Sequence, residues 1–406
     1  MTSYDFTIIG GGIVGLSVAM ALTERYPSTR LLVIEKESSW AAHQTGHNSG
    51  VIHSGVYYKP GSLKARFARE GNQAVVDFCQ RHNIAYDICG KVIVATESHE
   101  LPLLDNLLLR GQANGIPVER IGAEQLHDIE PHVRGLAALR VPTAGIVHYG
   151  QMAAAYARIV AERGGDLQLG TRVLNLATTP EGMAIETDKG SFFSRYLVNC
   201  AGLFSDRVAQ SCGLKTEAKI VPFRGEYYTL IPEKQHLCKH LIYPVPNPDF
   251  PFLGVHFTRM IDGSVHAGPN AVLALSREGY SWGQINLGDT AEVLSYGGFW
   301  KLAARHADEG VKEMVRSLSK AAFVRSLQKL IPEVRPEDVV PAGSGVRAQA
   351  LTQAGKLVDD FLFATGTNSL HVLNAPSPAA TASIPIGKAV IERIPESVTS
   401  QLTLKR

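Results

Sequence analysis

Cysteine is scarce in this chain. The five residues Cys79, Cys89, Cys200, Cys212 and Cys238 lie far apart among 406, are odd in number and include no CxxC pair, which argues against a disulfide scaffold or a zinc ribbon. Charge is scarce too. Charged side chains make up 19 % of the chain, against roughly 25 % in an average soluble protein. The 40 basic and 38 acidic residues leave a formal net charge of +2, too small a basic excess for a nucleic-acid surface. No apolar run reaches the ~18 residues that a membrane span needs. The opening MTSYDFTIIGGG lacks the charged-then-apolar layout of a signal peptide. A cytoplasmic, reduced protein is expected, with peripheral contact at the inner membrane left open.

What is present is a large apolar fraction, 45 %, and 38 glycines, enough for sizeable cores in two or three domains. The glycines carry the first motif. Tyr4 to Ile9 reads as a buried strand, Gly10-Gly11-Gly12-Ile13-Val14-Gly15 as a turn, Leu16 to Arg25 as a helix and Arg30 to Ile34 as a second strand ending at Glu35. This is the GxGxxG of dinucleotide-binding turns. Gly10 permits the tight turn, Gly12 lets the backbone approach a pyrophosphate, and Gly15 lets the helix pack close to the sheet. The helix N-terminus adds partial positive charge. Glu35, at the tip of the second strand, is placed to accept the ribose hydroxyls and disfavours a 2′-phosphate, hence NADP. The fingerprint by itself suits NAD and FAD alike.

His43 to Pro60 (HQTGHNSGVIHSGVYYKP) is polar, Gly-punctuated and too irregular for helix or strand, and is expected to line the cofactor. Ser62 to Gln80 reads as a helix capped by Ser62. Lys91 to Ala95 reads as a strand, and Leu101 to Leu109, Ala123 to Ile129 and Gln151 to Arg163 as helices. Gly165 to Leu169 and Thr171 to Leu176 look like strands returning to the first sheet. Arg195 to Cys200, Ala201-Gly202 and a helix through Ser211 form a second strand-Gly-helix crossover. Val221 to Leu230, Leu241 to Val245, Phe252 to Phe257 and Gly263 to Ala267 make a strand-rich block, and Ala291 to Leu330 is mostly helical. Leu357 to Ala364 and Leu370 to Leu373 read as returning strands, and Ser377 to Glu392 as a last helix.

The GGGIVG turn with Glu35, the loop HQTGHNSGVIHSGVYYKPGSLKA, the block PFRGEYY, the segment YPVPNPDFPFLGVHFTRMIDGSVHAGPNAVLA, and GVRAQA with NAPSPAATASIPIG together resemble the L-2-hydroxyglutarate dehydrogenases (oxidases). These belong to the FAD-dependent, D-amino-acid-oxidase-like oxidoreductases. The resemblance runs from about residue 4 to 393. It implies an α/β protein: an FAD-binding dinucleotide fold, Rossmann-like and of glutathione-reductase type, with a second α+β substrate domain carrying a mixed sheet. The expected FAD domain is discontinuous (1–80, 148–215, 346–395), the substrate domain takes 81–147 and 216–345, and 396–406 is a tail. Gly10, Gly12, Gly15 and Glu35 match the dinucleotide site, with Ile13, Val14, Lys36, Val173 and Ala201 as further cofactor residues. His47, Asn48, Ser49 and Gly50 match the loop beside the flavin, and Gly202 the second crossover. Asn374, Ala375, Pro376 and Ser377 match the C-terminal return. The implied reaction oxidises L-2-hydroxyglutarate to 2-oxoglutarate and passes electrons to a quinone or to oxygen.

Oxidising a secondary alcohol needs a hydride acceptor, a base for the hydroxyl proton and cations that hold the carboxylates. Arg347, Arg259 and Arg224 are the candidate cations, because Arg recognises carboxylates bidentately. His256 and His53 are the candidate bases, since imidazole titrates near neutrality, with His266 weaker. No metal is expected. The stretch Trp300 to Leu330 mixes basic and aromatic residues and could lie on anionic lipid. Two other readings stay open: a flavoprotein acting on an amino acid, sarcosine or glycerol 3-phosphate, and a non-redox binding protein on the same fold.

Overall fold

The computed structural model describes residues 2–247 and 254–403, and its framework is two large sheets. The first sheet has a parallel core in the order Ser369–Asn374, Gly190–Asn199, Thr2–Ile9, Leu31–Ile34, Asp166–Gln168. Gly190–Asn199 pairs along its length with Thr2–Ile9. On its other edge it divides: Gly190 to Ser194 joins the antiparallel strands Gly182–Thr187 and Val173–Thr179, and Leu197 to Asn199 joins Ser369–Asn374, beyond which lies Leu362–Gly366. Parallel strands covered on both faces read as apolar runs, and Leu31–Ile34 is buried throughout.

The helix Ile13–Arg25 packs on Tyr149–Glu162 and Ser383–Ile391. Gly387 makes the second contact possible, since a Cβ there would lie 2.5 Å from Ser17 Oγ. The chain order places Thr2–Ile9 between strands reached in opposite directions. This is the topological switch at which open α/β sheets form a crevice at the C-terminal ends of their strands.

The second sheet runs Val272–Leu273, Ala218–Leu230, Val265–Gly268, His256–Arg259, Leu241–Pro244, Lys91–Ala95, Ala137–Val141, Glu119–Gly122, with Val339–Thr352 on the other edge of Ala218–Leu230. It is mixed, because Leu241–Pro244 and Lys91–Ala95 are parallel and their other neighbours antiparallel. A small sheet joins Val51–Ile52, Gly145–Val147 and Tyr86–Asp87. Four helices, Leu287–Leu294, Gly297–Arg305, Ala307–Leu318 and Lys320–Leu327, fill the stretch expected to be helical.

Several expectations need correction. The domain boundary expected between 345 and 346 falls inside Val339–Thr352, which stays paired with Ala218–Leu230 through Thr352. Residues 396–406, expected as a tail, are helical over Glu396–Thr403. The helix expected from Ser377 begins at Ser383, because 377–382 form turns. The loop after Glu35 contains the strand Val51–Ile52, and the hairpin strand Gly182–Thr187 escaped the sequence reading. Of the expected strand Phe252 to Phe257, residues 252 and 253 lie outside the described residues, and the strand observed is His256–Arg259.

Candidate active site

One cavity of about 1190 Å³ lies between the C-terminal edge of the first sheet and the second sheet. At its first-sheet end the glycine turn is shaped by contact. Gly10 adopts a φ of 112°, and a Cβ there would stand 2.4 Å from the Cys200 carbonyl oxygen. A Cβ on Gly15 would stand 2.0 Å from the Gly10 carbonyl oxygen, so Gly15 serves packing and does not line the cavity. A Cβ on Gly12 would meet only Thr45 Oγ1, at 3.4 Å. Gly12 therefore borders free volume where a phosphate can meet the N-terminus of Ile13–Arg25. Ile13 and Val14 line the same space, and Thr45 Oγ1 accepts the Ile13 N–H at 3.0 Å.

Glu35 accepts the N–H of Gly11 at 2.7 Å and that of Glu37 at 2.9 Å. Both bonds fix the carboxylate at the cavity wall and leave acceptor sites for ribose hydroxyls. Lys36, Val173, Ala201 and Gly202 complete this end. Lys36 also sits in a cluster that only the fold brings together. Its ammonium meets Glu37 and Glu278, and His43 Nε2 lies 3.0 Å from each of those carboxylates. Glu37, His43 and Glu278 are close enough together for metal ligands, but Lys36 already supplies the countercharge.

His47, Asn48 and Ser49 line the middle of the cavity from one side, and Ala375, Pro376 and Ser377 from the other. Two expected cofactor residues do not reach it. Gly50 turns the chain with a φ of 66° against the Val147 carbonyl and borders a separate 80 Å³ pocket. Asn374 is buried and donates to the carbonyls of Val358 and Asp360 at 2.9 and 2.8 Å, so it ties strand to loop.

The far end is lined by His53, Tyr57, Tyr58, Tyr227, His256 and Arg347. His256 is 5 % exposed, and its Nδ1 lies 2.9 Å from the Gly254 carbonyl oxygen. A carbonyl only accepts, so Nδ1 carries the proton and Nε2 keeps the lone pair. Burial, with Lys91 and Arg347 adding positive charge, pulls His256 down to about 3. Burial with Lys91, His256 and Lys64 likewise pulls His53 well below the usual value. Both imidazoles are neutral at neutral pH.

Arg347 stands beside Gly225, which leaves room for its guanidinium, and Nη1 lies 3.4 Å from the Asn270 carbonyl. Burial lowers its pKa, opposed by Tyr227 and Glu313. Glu313, pushed up by burial, accepts the Ala271 N–H at 2.8 Å.

The other two arginines are not in the cavity, and strand geometry gives the reason. Phe223 pairs with Arg347 and Arg224 with Val346. The one-residue offset turns Arg224 to the opposite face of the sheet from Arg347, where it is buried 4.4 Å from the Trp282 ring centroid and bonded to Glu226 at 3.0 Å. Arg259 is three positions from His256 on one strand, hence on its other face, and pairs with Asp87 at 3.2 Å. His266 likewise does not line the cavity. The sequence reading missed Tyr227, Tyr243, Lys91 and Glu313. The neighbourhood of Lys91 could have raised suspicion, since a lysine opening an otherwise apolar buried strand is rare.

A family model described as FAD dependent oxidoreductase matches residues 5–393. An L-2-hydroxyglutarate dehydrogenase of Indibacter alkaliphilus is 50 % identical over 96 % of this chain and 98 % of its own length. The chain belongs to the L-2-hydroxyglutarate dehydrogenase family. Other members of that family are the Escherichia coli K12 protein, 47 % identical over 98 % of this chain and 94 % of its own, and the human mitochondrial protein, 45 % identical over 97 % and 89 %. Among solved structures, an FAD-bound L-alpha-glycerophosphate oxidase from Mycoplasma pneumoniae superposes with a TM-score of 0.79 at 19 % identity, covering 97 % of this chain and 94 % of that one. A glycine oxidase from Geobacillus kaustophilus gives 0.72 at 18 %, covering 97 % and 95 %. These two share the fold. FAD is the cofactor of this L-2-hydroxyglutarate dehydrogenase family member, and the cradle from Gly10 to Val14 with Glu35 fits its pyrophosphate and ribose.

Proposed function

We propose that the protein oxidises L-2-hydroxyglutarate to 2-oxoglutarate. The first sheet and its helices form the cofactor-binding part and the second sheet the substrate part. The observation that carries the reading is the positive bias of the far end: Arg347 lines it and Lys91 is buried behind it, around two neutral imidazoles. Such an end suits a dianion. Bound in the cavity, FAD supplies the acceptor for the hydride that leaves C2.

The chain's own residues do the remaining work. Arg347 pairs with the carboxylate next to the reacting carbon and aims its C–H bond. His256 Nε2 takes the hydroxyl proton, and His53 is the alternative base. Burial of this end by Tyr57, Tyr58 and Tyr227 keeps bulk water from competing for the base.

Anaerobic addition of L-2-hydroxyglutarate is expected to bleach the flavin absorbance. Bleaching by glycine, sarcosine or glycerol 3-phosphate instead would move the assignment to another substrate of the same fold, and no bleaching by any of them would leave a binding protein.

A second observation bears on the electron acceptor. Among the described residues no helix is long and apolar enough to cross a membrane, but the helical block exposes Leu287, Trp300, Val311, Val315 and Leu318, and the loop before it Ile285. Lys301, Arg305, Lys312, Arg316 and Lys320 are interspersed among them in the chain with Asp308, Glu309 and Glu313, and Lys312 and Arg316 pair with Glu309 and Glu313. An apolar face edged by cations suits an anionic bilayer and favours a membrane quinone over oxygen as acceptor. Flotation with anionic liposomes at low salt tests it: protein left in the soluble fraction removes the membrane reading.

A further inference from the structure

Lys91 opens the strand Lys91–Ala95 and is 1 % exposed. Among the described residues it forms no ion pair, and its ammonium meets aromatic faces: Nζ lies 3.9 Å from the Tyr243 ring centroid and 5.2 Å from that of Tyr57. His256 stacks on the same Tyr243 ring, with centroids 3.8 Å apart and planes 20° from parallel. Two groups that near one centroid must take opposite faces. Three adjacent strands of the second sheet thus contribute one layer each, Lys91, Tyr243 and His256, held in order by the pairing of Leu241 with Lys91 and of Ile242 with Phe257.

The ring quadrupole stabilises the ammonium on one side, while stacking restrains the imidazole on the other. Resting on His256 as the base, we propose that Lys91 is a positioning residue of this reaction: through the Tyr243 ring it fixes the imidazole plane, and its charge opposes protonation of Nε2 before the dicarboxylate arrives.

The groups facing His256 are Tyr243, Lys91, Arg347, His53 and the Gly254 carbonyl on Nδ1. Those facing Lys91 are Tyr57, Tyr243, Cys89 and the two imidazoles, His53 and His256. Burial holds the Cys89 thiol up at about 11, so it stays neutral. Burial also brings Lys91 down to about 7. Lys91 is therefore cationic on the acid side, where the base must lose its proton. A bound dianion would offset both Lys91 and Arg347 and make Nε2 a stronger base when its substrate is in place.

The test is the pH profile of kcat/KM for L-2-hydroxyglutarate, measured on FAD-loaded wild type, Lys91→Met, Tyr243→Phe, Tyr243→Leu and His256→Asn. The ammonium and imidazole are at most about 8 Å apart, so removing the charge in Lys91→Met is expected to raise the pH of half-maximal kcat/KM by about one unit. Tyr243→Phe keeps the ring and the wild-type profile, and Tyr243→Leu loses about tenfold in kcat with little change in KM. His256→Asn loses the rising limb.

An unmoved limb in FAD-loaded Lys91→Met, with the limb abolished in His256→Asn, overturns the role of Lys91 alone. A limb that persists in His256→Asn overturns the base assignment and this role with it. If Lys91→Met does not retain FAD, Tyr243→Leu decides, and wild-type kinetics there overturn the proposal.

Discussion

Gly12 and Gly15 sit three residues apart in one turn, and their surroundings predict opposite outcomes on substitution. A side chain at Gly12 would enter open space, proposed here for the pyrophosphate, and touch little else. Gly12→Val is expected to purify folded with its FAD content reduced tenfold or more, read from the ratio of flavin to protein absorbance. Gly15→Val, whose Cβ would stand 2.0 Å from a carbonyl oxygen, should fail to fold. The arginines divide in the same way. In the role proposed for Arg347, Arg347→Ala removes one partner of a buried charge pair with substrate, and the loss in kcat/KM should correspond to roughly 2 to 5 kcal/mol. Arg259→Ala removes a half-exposed pair with Asp87, worth at most about 1 kcal/mol of stability, and steady-state kinetics with L-2-hydroxyglutarate should not change. A tenfold rise in KM for Arg259→Ala would return it to the substrate site.

At the scale of elements, helix Ala307–Leu318 inverts the usual pattern. Val311, Met314, Val315 and Leu318 follow at helical spacing and are all exposed, while Glu313 is buried. A surface helix normally turns such a stripe inward, whereas this one leaves it outward, the face proposed to meet a membrane. Replacing Val311, Val315 and Leu318 together by Ser should abolish binding to anionic vesicles while kcat with a soluble dye acceptor stays within twofold. If kcat falls as well, the face supports the fold and not a membrane. The opposite case is helix Leu63–His82, begun by Ser62, whose Oγ accepts the Ala65 N–H at 3.2 Å, and ended by Asn83 with a φ of 54°. Both caps are local, and Ser62 was legible as a cap in the sequence.

At the scale of the whole molecule, the first sheet's region is tied to the second by the buried pair Arg277 and Asp206, bonded at 2.6 and 2.9 Å and each about 2 % exposed. Asp206→Ala would leave the buried guanidinium with Glu292 at 3.2 Å and the Leu203 carbonyl at 2.5 Å, and should cost about 3 kcal/mol in urea unfolding. Acid acts on the whole chain through buried neutral histidines. His256 is lowered to about 3, and His371, bonded to Asn199 and Ser369, to about 4. Their folded values lie below the unfolded one near 6.5, so the unfolded chain takes up protons first. Their contribution is complete above about pH 6.5 and is lost as pH falls toward 4. Each group adds up to about 1.4 kcal/mol per pH unit in that window. The urea midpoint should fall from pH 7 to pH 5, and His371→Gln should flatten the slope.

The sequence by itself determined whatever is written in consecutive residues. The glycine turn, the helix after it and Glu35 at the next strand's tip form one unit whose parts are neighbours in the chain, so their spacing already contained the local geometry proposed to cradle the cofactor. Only the tertiary structure decided which side chains share the far end of the cavity. Arg347 stood ahead of Arg224 and Arg259 in the sequence only by its place after a Gly turn and before the strand returning to the FAD domain, and what separates the three in space is that a strand turns alternate residues to opposite faces. Which face meets the cavity depends on pairing between segments more than a hundred residues apart, as with Phe223 and Arg347. Lys91 and His256 are likewise 165 positions apart in the chain, and only the order of three strands sets them on the two faces of Tyr243.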